Sequence, residues 1–236
     1  MRKTLSEICL VVCLIILIGC AATKHAEKVE RSGFLSPEIY GMMKDGNEEE
    51  LEATKRYSAA NVDWRTYNKI MLDPIVYFVG KRDEGEGISQ EEKQRILDYF
   101  FSKLHKAIEE SPFVEHATQP GPGTLRLQAA VVDLDESHVT MGAISTYIPQ
   151  VSLITSIATI AKDKPAFVGE MGVEFKFTDS STGKLLVAGI DKRYGGKKLG
   201  KGTDSWADVF NIIDYYATLL KFRVCKLQER DNCIQP

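Results

Sequence analysis

The sequence predicts an α/β (α+β) domain, a mixed sheet of about five strands covered by helices in the order β-α-β-β-(helical insertion)-β-β-α. Three observations predict it. Two stretches carry apolar residues at helical spacing, one in mid-chain and one near the carboxyl terminus. Several runs of Val, Ile, Leu and Phe alternate with polar residues as half-buried strands do. Between these runs stand Gly- and Pro-rich turn signals.

The first expected strand covers Lys69 to Val79. Both alternating faces are apolar, with Ile70, Leu72, Val76 and Phe78 on one and Met71, Ile75, Tyr77 and Val79 on the other. That pattern fits a strand covered on both sides. Pro74 has no N–H to give to a ladder, so a bulge or an edge is expected there. Ser89-Gln90-Glu91-Glu92 reads as a capping box. Ile96, Leu97, Phe100, Phe101, Leu104 and Ile108 then mark a helical stripe that Pro112 ends.

Phe113 to Ala117 reads as a short strand and Pro120 to Gly123 as a turn. Thr124 to Leu134 and Gly169 to Thr178 follow as strands. In the second of these, Val173, Phe175 and Phe177 are expected to face in, and Glu174 and Lys176 out. Asp179 to Lys184 is a hairpin turn into a strand over Leu185 to Arg193. Ser205, with Asp208 three residues on, is expected to cap a last helix running to about Leu227. Its buried stripe would be Trp206, Phe210, Ile213, Ala217, Leu220 and Val224.

The amino terminus has a different character. Arg2 and Lys3 precede Ile8 to Ile18, an uncharged run of 11 residues. A membrane span needs about 20 apolar residues, so this length suits a signal-peptide core. Leu17-Ile18-Gly19-Cys20 follows and resembles the lipobox of bacterial lipoproteins. The resemblance implies cleavage before Cys20, a diacylglycerol thioether on its sulfur and an acylated amino group. One chain binds a bilayer only marginally, at about 0.8 kcal/mol per methylene, and two or three hold durably. Ala21 is not the Asp that signals inner-membrane retention in such lipoproteins, which points to the outer membrane in a Gram-negative cell.

The expected organisation is therefore a signal peptide over 1–19, a tether over 20–63 with a docking segment at 32–40, and one domain over 64–236 with an insertion at 139–164. The tether carries the acidic run Asp45 to Glu52. From Cys20 on, without Arg2, Lys3 and Glu7, the chain has 28 basic and 32 acidic residues. That balance argues against nucleic acid as a partner.

Of five cysteines, Cys225 and Cys233 remain beyond Cys20. In an oxidising compartment they can form a disulfide that pins the tail, or stay as two thiols. No nearby histidine completes a metal set with them, and no cofactor is expected. The histidines are His25, His105, His116 and His138, no two at metal-ligand spacing. Asp133, Asp135, Glu136 and His138 cluster at a strand end. They read as a solvated turn, with an acid/base role in an envelope-polymer hydrolase or transferase as the alternative.

Ser181-Thr182-Gly183-Lys184 lacks the upstream glycine of a phosphate loop and reads as a hairpin turn. Gly195, Gly196, Lys197, Lys198 and Lys201 precede a helix. They read as a connecting loop, with contact to an anion, a lipid headgroup or peptidoglycan as the alternative. Val139 to Ala161 holds 23 residues without a charge, seven of them Ser or Thr. From Val151 the pattern is an amphipathic helix. It reads as packed on its own domain, or as a membrane-facing or oligomer-forming element.

Several motifs together are similar to a bacterial lipoprotein family, the domain of unknown function 3313. They are Ser32-Gly33-Phe34-Leu35, Tyr67 with Ile70-Met71-Leu72-Asp73-Pro74, Pro165 to Glu170, Thr178-Asp179-Ser180 with Thr182-Gly183, and Trp206. The resemblance implies no assigned activity and supplies no catalytic residues. The element order also resembles lipoprotein domains of the curli-secretion channel subunit and the penicillin-binding-protein activators. The combined expectation is a lipid-anchored, non-enzymatic binding or envelope-assembly module, partnered by membrane lipid through Cys20 and by an envelope protein or peptidoglycan. A homo-oligomer assembled through 139–164 is a further alternative.

Overall fold

The computed structural model describes residues 23–26, 28–78, 88–135, 169–195 and 206–236. The elements are β1 (Lys24–His25), α1 (Pro37–Met42), β2 (Lys44–Asp45), β3 (Lys55–Ser58), a 3-10 turn (Trp64–Thr66), β4 (Lys69–Leu72) and β5 (Val76–Tyr77). After them come α2 (Gln90–Glu109), β6 (Glu115–His116), β7 (Thr124–Asp135), β8 (Glu170–Asp179), β9 (Leu185–Tyr194) and α3 (Ala207–Leu227). The mixed α+β class is as expected, but the sheet has nine strands among the described residues, not about five.

Two causes account for the difference. Pro74 splits the first predicted strand into β4 and β5, both parallel to β7. The ladder hydrogen bonds resume on either side of it, Asp73 N to the Leu127 carbonyl at 3.0 Å and Phe78 N to the Val131 carbonyl at 2.9 Å. The larger cause is the amino-terminal segment. Residues 23–63, read as a tether, contribute three strands. β1 and β3 both pair antiparallel with β9, and β2 pairs with β3. The sheet order is β2-β3-β9-β8-β7-β4-β6, with its antiparallel part running from β2 to β7.

α2 and α3 cover one face. They run parallel: Trp206 Nε1 donates to Glu92 at 3.0 Å near their amino ends, and Lys221 Nζ donates to Glu110 at 2.5 Å towards the other. The core between them and the sheet includes Ile70, Ile96, Phe100, Ile108, Val131, Met171, Val209, Ile212 and Ile213. Each such side chain contributes about 1.5–3 kcal/mol when fully buried. Ser89 forms the predicted capping box with Glu92. Ser205, the expected cap, lies outside the described residues. α3 starts from Trp206 without a side-chain cap bond, and the Asp208 carboxylate accepts instead from Gly169 N at 3.0 Å.

Residues 28–43 cover the second face. Leu35 and Tyr40 pack there with Ala188 and Ile190. A bulge in β9 opposite Phe177 and Thr178 switches the alternation. It sends Leu186 to the helix side and Ala188 and Ile190 to this second core. At Gly189 a Cβ would come within 2.7 Å of the Phe175 ring and 3.1 Å of Ala53, so only glycine fits beneath these neighbours.

At the carboxyl terminus Cys225 and Cys233 form a disulfide, with a Cα separation of 5.7 Å. Gln228 between them donates to the carbonyls of Tyr67 at 2.8 Å and Phe113 at 3.2 Å. Among the described residues no helix is long and apolar enough to cross a membrane.

Candidate functional site

The chemistry-bearing side chains gather at one end of the sheet. β7 ends there at Asp135, β8 begins opposite it at Glu170, and β9 ends at Tyr194 opposite Lys24 of β1. The α3 amino end is there too, because Asp208 holds Gly169 N. Alternation along β9 divides its polar residues between the two faces, and each face builds a separate network.

On the helix side Asp191 is 1% exposed and Arg193 3%. The Asp191 carboxylate accepts from Thr54 N at 3.2 Å, Thr54 Oγ1 at 3.1 Å, Arg193 Nε at 2.9 Å and Tyr216 OH at 3.1 Å. Burial and this carboxylate drive the Tyr216 hydroxyl well above its ordinary pKa. The Arg193 guanidinium stacks 3.9 Å from the centre of the Tyr215 ring and donates to Thr23 Oγ1 at 3.2 Å. It also bonds His25 Nε2.

A guanidinium can only donate, so His25 Nε2 is the acceptor and the proton is on Nδ1, 3.4 Å from Asp191. Burial lowers the His25 pKa; Asp191 opposes that shift and Arg193 adds to it. The neutral ring therefore joins a carboxylate and a guanidinium that are satisfied by one another. This is an acid/base inventory spent on fastening β1 and Thr54 to β9.

On the other face Lys192 bridges Asp133 at 2.5 Å and Glu170 at 2.8 Å. Burial works against the lysine charge, but the two carboxylates outweigh it and raise its pKa. Gly172 makes the approach feasible, since a Cβ there would lie 2.8 Å from that of Asp133. Asp133 is thus an ion-pair partner within the sheet rather than part of a solvated turn. Asp135 shares its face, opposite Glu170. Glu136 and His138 lie outside the described residues, so only half of the predicted cluster is placed.

Further along this face Glu174 is 0% exposed, against the expectation that it faces solvent. It accepts from Ser32 N at 2.8 Å, Leu35 N at 3.3 Å and Tyr40 OH at 2.6 Å. Gly33 N donates to the same tyrosine oxygen at 2.8 Å. The Ser32-Gly33-Phe34-Leu35 motif is therefore a backbone cradle for a carboxylate, with no cation paired to it among the described residues. Burial and the Glu174 bond raise the Tyr40 pKa. Sequence reasoning missed Glu174, Asp191, Arg193 and His25. For Asp191 and Arg193 the signal was charge inside β9, which is otherwise largely apolar on both faces, whereas Glu174 and His25 carried no local signal.

The remaining predicted residues are placed as follows. Gly195 packs against Asp208 at the start of α3. Gly196, Lys197, Lys198 and Lys201 lie outside the described residues, as do Cys20 and the insertion 139–164. Thr182 and Gly183 form a hairpin turn, in which Asp179 Oδ1 accepts from Ser181 N and Thr182 N. Tyr67 donates to the other Asp179 oxygen at 2.8 Å, and burial with this bond pushes the Tyr67 pKa up to about 12.

His105 and His116 stand edge to face at 4.4 Å between ring centres. Burial and then His105 lower the pKa of His116. Among the described residues no group of three or more His, Cys, Asp or Glu side chains is arranged to hold a metal.

Comparison with known proteins adds the following. The chain is similar to the dodecameric PelC of Paraburkholderia phytofirmans at 11% identity, with 75% of this chain and 96% of that one covered and a TM-score of 0.38. It is similar to the hypothetical protein CT253 of Chlamydia trachomatis at 9% identity, covering 68% and 99%, with a TM-score of 0.39. It is also similar to XCC0632 of Xanthomonas campestris, of family DUF330, at 11% identity, covering 73% and 91%, with a TM-score of 0.37. No curated protein matches the sequence. A family model matches residues 30–220, which takes in the Glu174 cradle, most of both helices and the whole of β3 to β9, and by that match the chain belongs to the DUF3313 family, proteins of unknown function.

Proposed function

We propose that this protein is a lipid-anchored envelope lipoprotein whose domain is a non-enzymatic binding or assembly module facing the periplasm. The observation that carries the reading is Leu17-Ile18-Gly19-Cys20 at the end of an 11-residue apolar run. The Cys225–Cys233 disulfide supports it, because such bonds persist in oxidising compartments. The non-enzymatic part is supported by where the acids and bases are committed: Asp191 to four donors, Asp133 to Lys192, and Glu174 to two backbone amides and a tyrosine.

In a Gram-negative cell the anchor would be in the outer membrane, with an envelope protein or peptidoglycan as partner. Two measurements test the proposal. Intact mass of the protein extracted from membranes should show acyl chains on a chain starting at Cys20, and Cys20→Ser should move the protein to the soluble fraction. Crosslinking in cells at native level should then capture a defined envelope partner. An unacylated chain would end the anchoring reading, and a protein that crosslinks to nothing would end the assembly reading.

A further inference from the structure

The path of the chain into β1 carries a consequence for how the domain stands on its membrane. We propose that the end of the sheet formed by Thr23–His25, Asp135, Glu170, Tyr194 and the first turn of α3 is the face turned to the phospholipid bilayer. The hairpin end at Ser181–Thr182 then points away from it. This rests on the acylation of Cys20.

Reach and direction of the chain fix this orientation. β1 is antiparallel to β9, with Lys24 opposite Tyr194 and His25 opposite Arg193. Ala26 N then bonds the Lys192 carbonyl at 2.9 Å. The chain therefore enters from the Tyr194 end and runs inward. Three peptide steps separate Cys20 from Thr23, at most about 10–11 Å of extended chain. Thr23 is itself held by Arg193, which is buried and bonded to Asp191. The leash is thus short and its far end is fixed.

β9 from Tyr194 to Leu185 covers about 30 Å at ~3.3 Å per residue, so the hairpin stands several leash lengths from the anchor. A tether of some 40 residues would have let either end approach the bilayer. The three strands built from residues 23–58 remove that freedom. Among the described residues at this end, Lys192 is paired with Asp133 and Glu170.

Energy transfer to headgroup-labelled lipid tests the proposal. Acylated protein is reconstituted into vesicles of phosphatidylcholine and phosphatidylglycerol, with a donor dye on Asn211→Cys in one sample and on Thr182→Cys in the other. Both positions are exposed; Asn211 lies outside the networks described above, and Thr182→Cys keeps the backbone N–H bond to Asp179 and gives up the hydroxyl one. Transfer should be at least about twofold more efficient from position 211, given the ~30 Å between the two ends. A flexible insert of about 20 residues between Ala22 and Thr23 should erase the difference by lengthening the leash.

Equal transfer from both positions, or more from 182, would overturn the orientation while leaving the anchor intact. A difference that survives the insert would overturn the leash as its cause. Intact mass reports acylation independently, and an unmodified Cys20 would overturn orientation and anchor together.

Discussion

The Tyr40 hydroxyl donates a 2.6 Å hydrogen bond to the Glu174 carboxylate, joining residues 134 positions apart in sequence. With Ser32 N and Leu35 N on the same carboxylate, this contact fastens residues 28–43 over the second face of the sheet. A buried carboxylate without a cation persists only when donors surround it.

Glu174→Gln should therefore be costly despite its near-identical shape. The amide presents an NH2 group to at least one backbone N–H, leaving donors facing each other. We expect a loss of about 2–4 kcal/mol in urea denaturation. Tyr40→Phe removes one hydrogen bond to a charged group and should cost about 1.5–3 kcal/mol. Both variants should open the 28–43 segment to protease before global unfolding. Unchanged denaturation midpoints would refute the cradle.

His25 gives the protein a pH dependence with a definite sign. Burial holds its folded-state pKa below the unfolded value, so the unfolded chain takes up the proton first. The stability contributed is fully present above the ordinary histidine value of about 6.5 and is lost as pH falls from there towards the folded value. Protection of the Ala26 amide, bonded to the Lys192 carbonyl, taken relative to its intrinsic exchange rate, should fall as pH drops below about 6.5. The groups facing the imidazole are Asp191, Arg193 and Glu48. His25→Gln keeps polar atoms there without titrating and should flatten this dependence. An acid-side slope that survives the substitution would place the effect elsewhere.

Much of the helix layer was legible because a helix with one wet face writes its period into sequence. Ser89 and Glu92 cap α2 as read, and Ile96, Phe100, Leu104 and Ile108 are buried. Strands between two cores are harder. β8 alternates Val173, Glu174, Phe175 and Lys176, which looks like one wet face. Glu174 is buried only because residues from 142 positions earlier in the chain fold over it.

No local period announces such a partner. For the same reason β1, β2 and β3 went unread, since two to four residues amid charges carry no strand signal and owe their pairing to β9. The candidate site suffered most. His25, Asp191 and Arg193 meet across 168 positions, and the readable traces were the charges inside β9 and, for the cradle, Ser32-Gly33-Phe34-Leu35.

Lys192 bridges Asp133 and Glu170. Lys192→Met would keep the aliphatic stem and take its positive charge away from half-buried Asp133 and buried Glu170. We expect a loss of about 1–3 kcal/mol at neutral pH. The folded-state pKa of the lysine is raised, so its contribution is fully present below the ordinary lysine value near 10.4 and is lost only as pH rises through the higher folded value. From the lysine alone, the wild-type advantage should stay level between about pH 6 and 9 and shrink on the strongly alkaline side. A gap that closes already near neutrality would show that the bridge is not what Lys192 supplies.

The disulfide closes a small loop, since Cys225 and Cys233 have a sequence separation of 8. Chain-entropy reasoning gives such a loop about 2–3 kcal/mol. Its contribution extends beyond the loop, because Gln228 inside it bonds the carbonyls of Tyr67 and Phe113. Those bonds tie the last turn of α3 to the segments leading into β4 and β6. The double variant Cys225→Ser, Cys233→Ser should therefore lose about 2–3 kcal/mol in denaturant. Hydrogen exchange should show protection lost first at Asn68 and Glu115, whose backbones bond across this corner. Protection lost first at the Tyr194 end would show that the bond does not hold this corner, and equal stability of the oxidised and double-serine forms would leave the disulfide without a structural role.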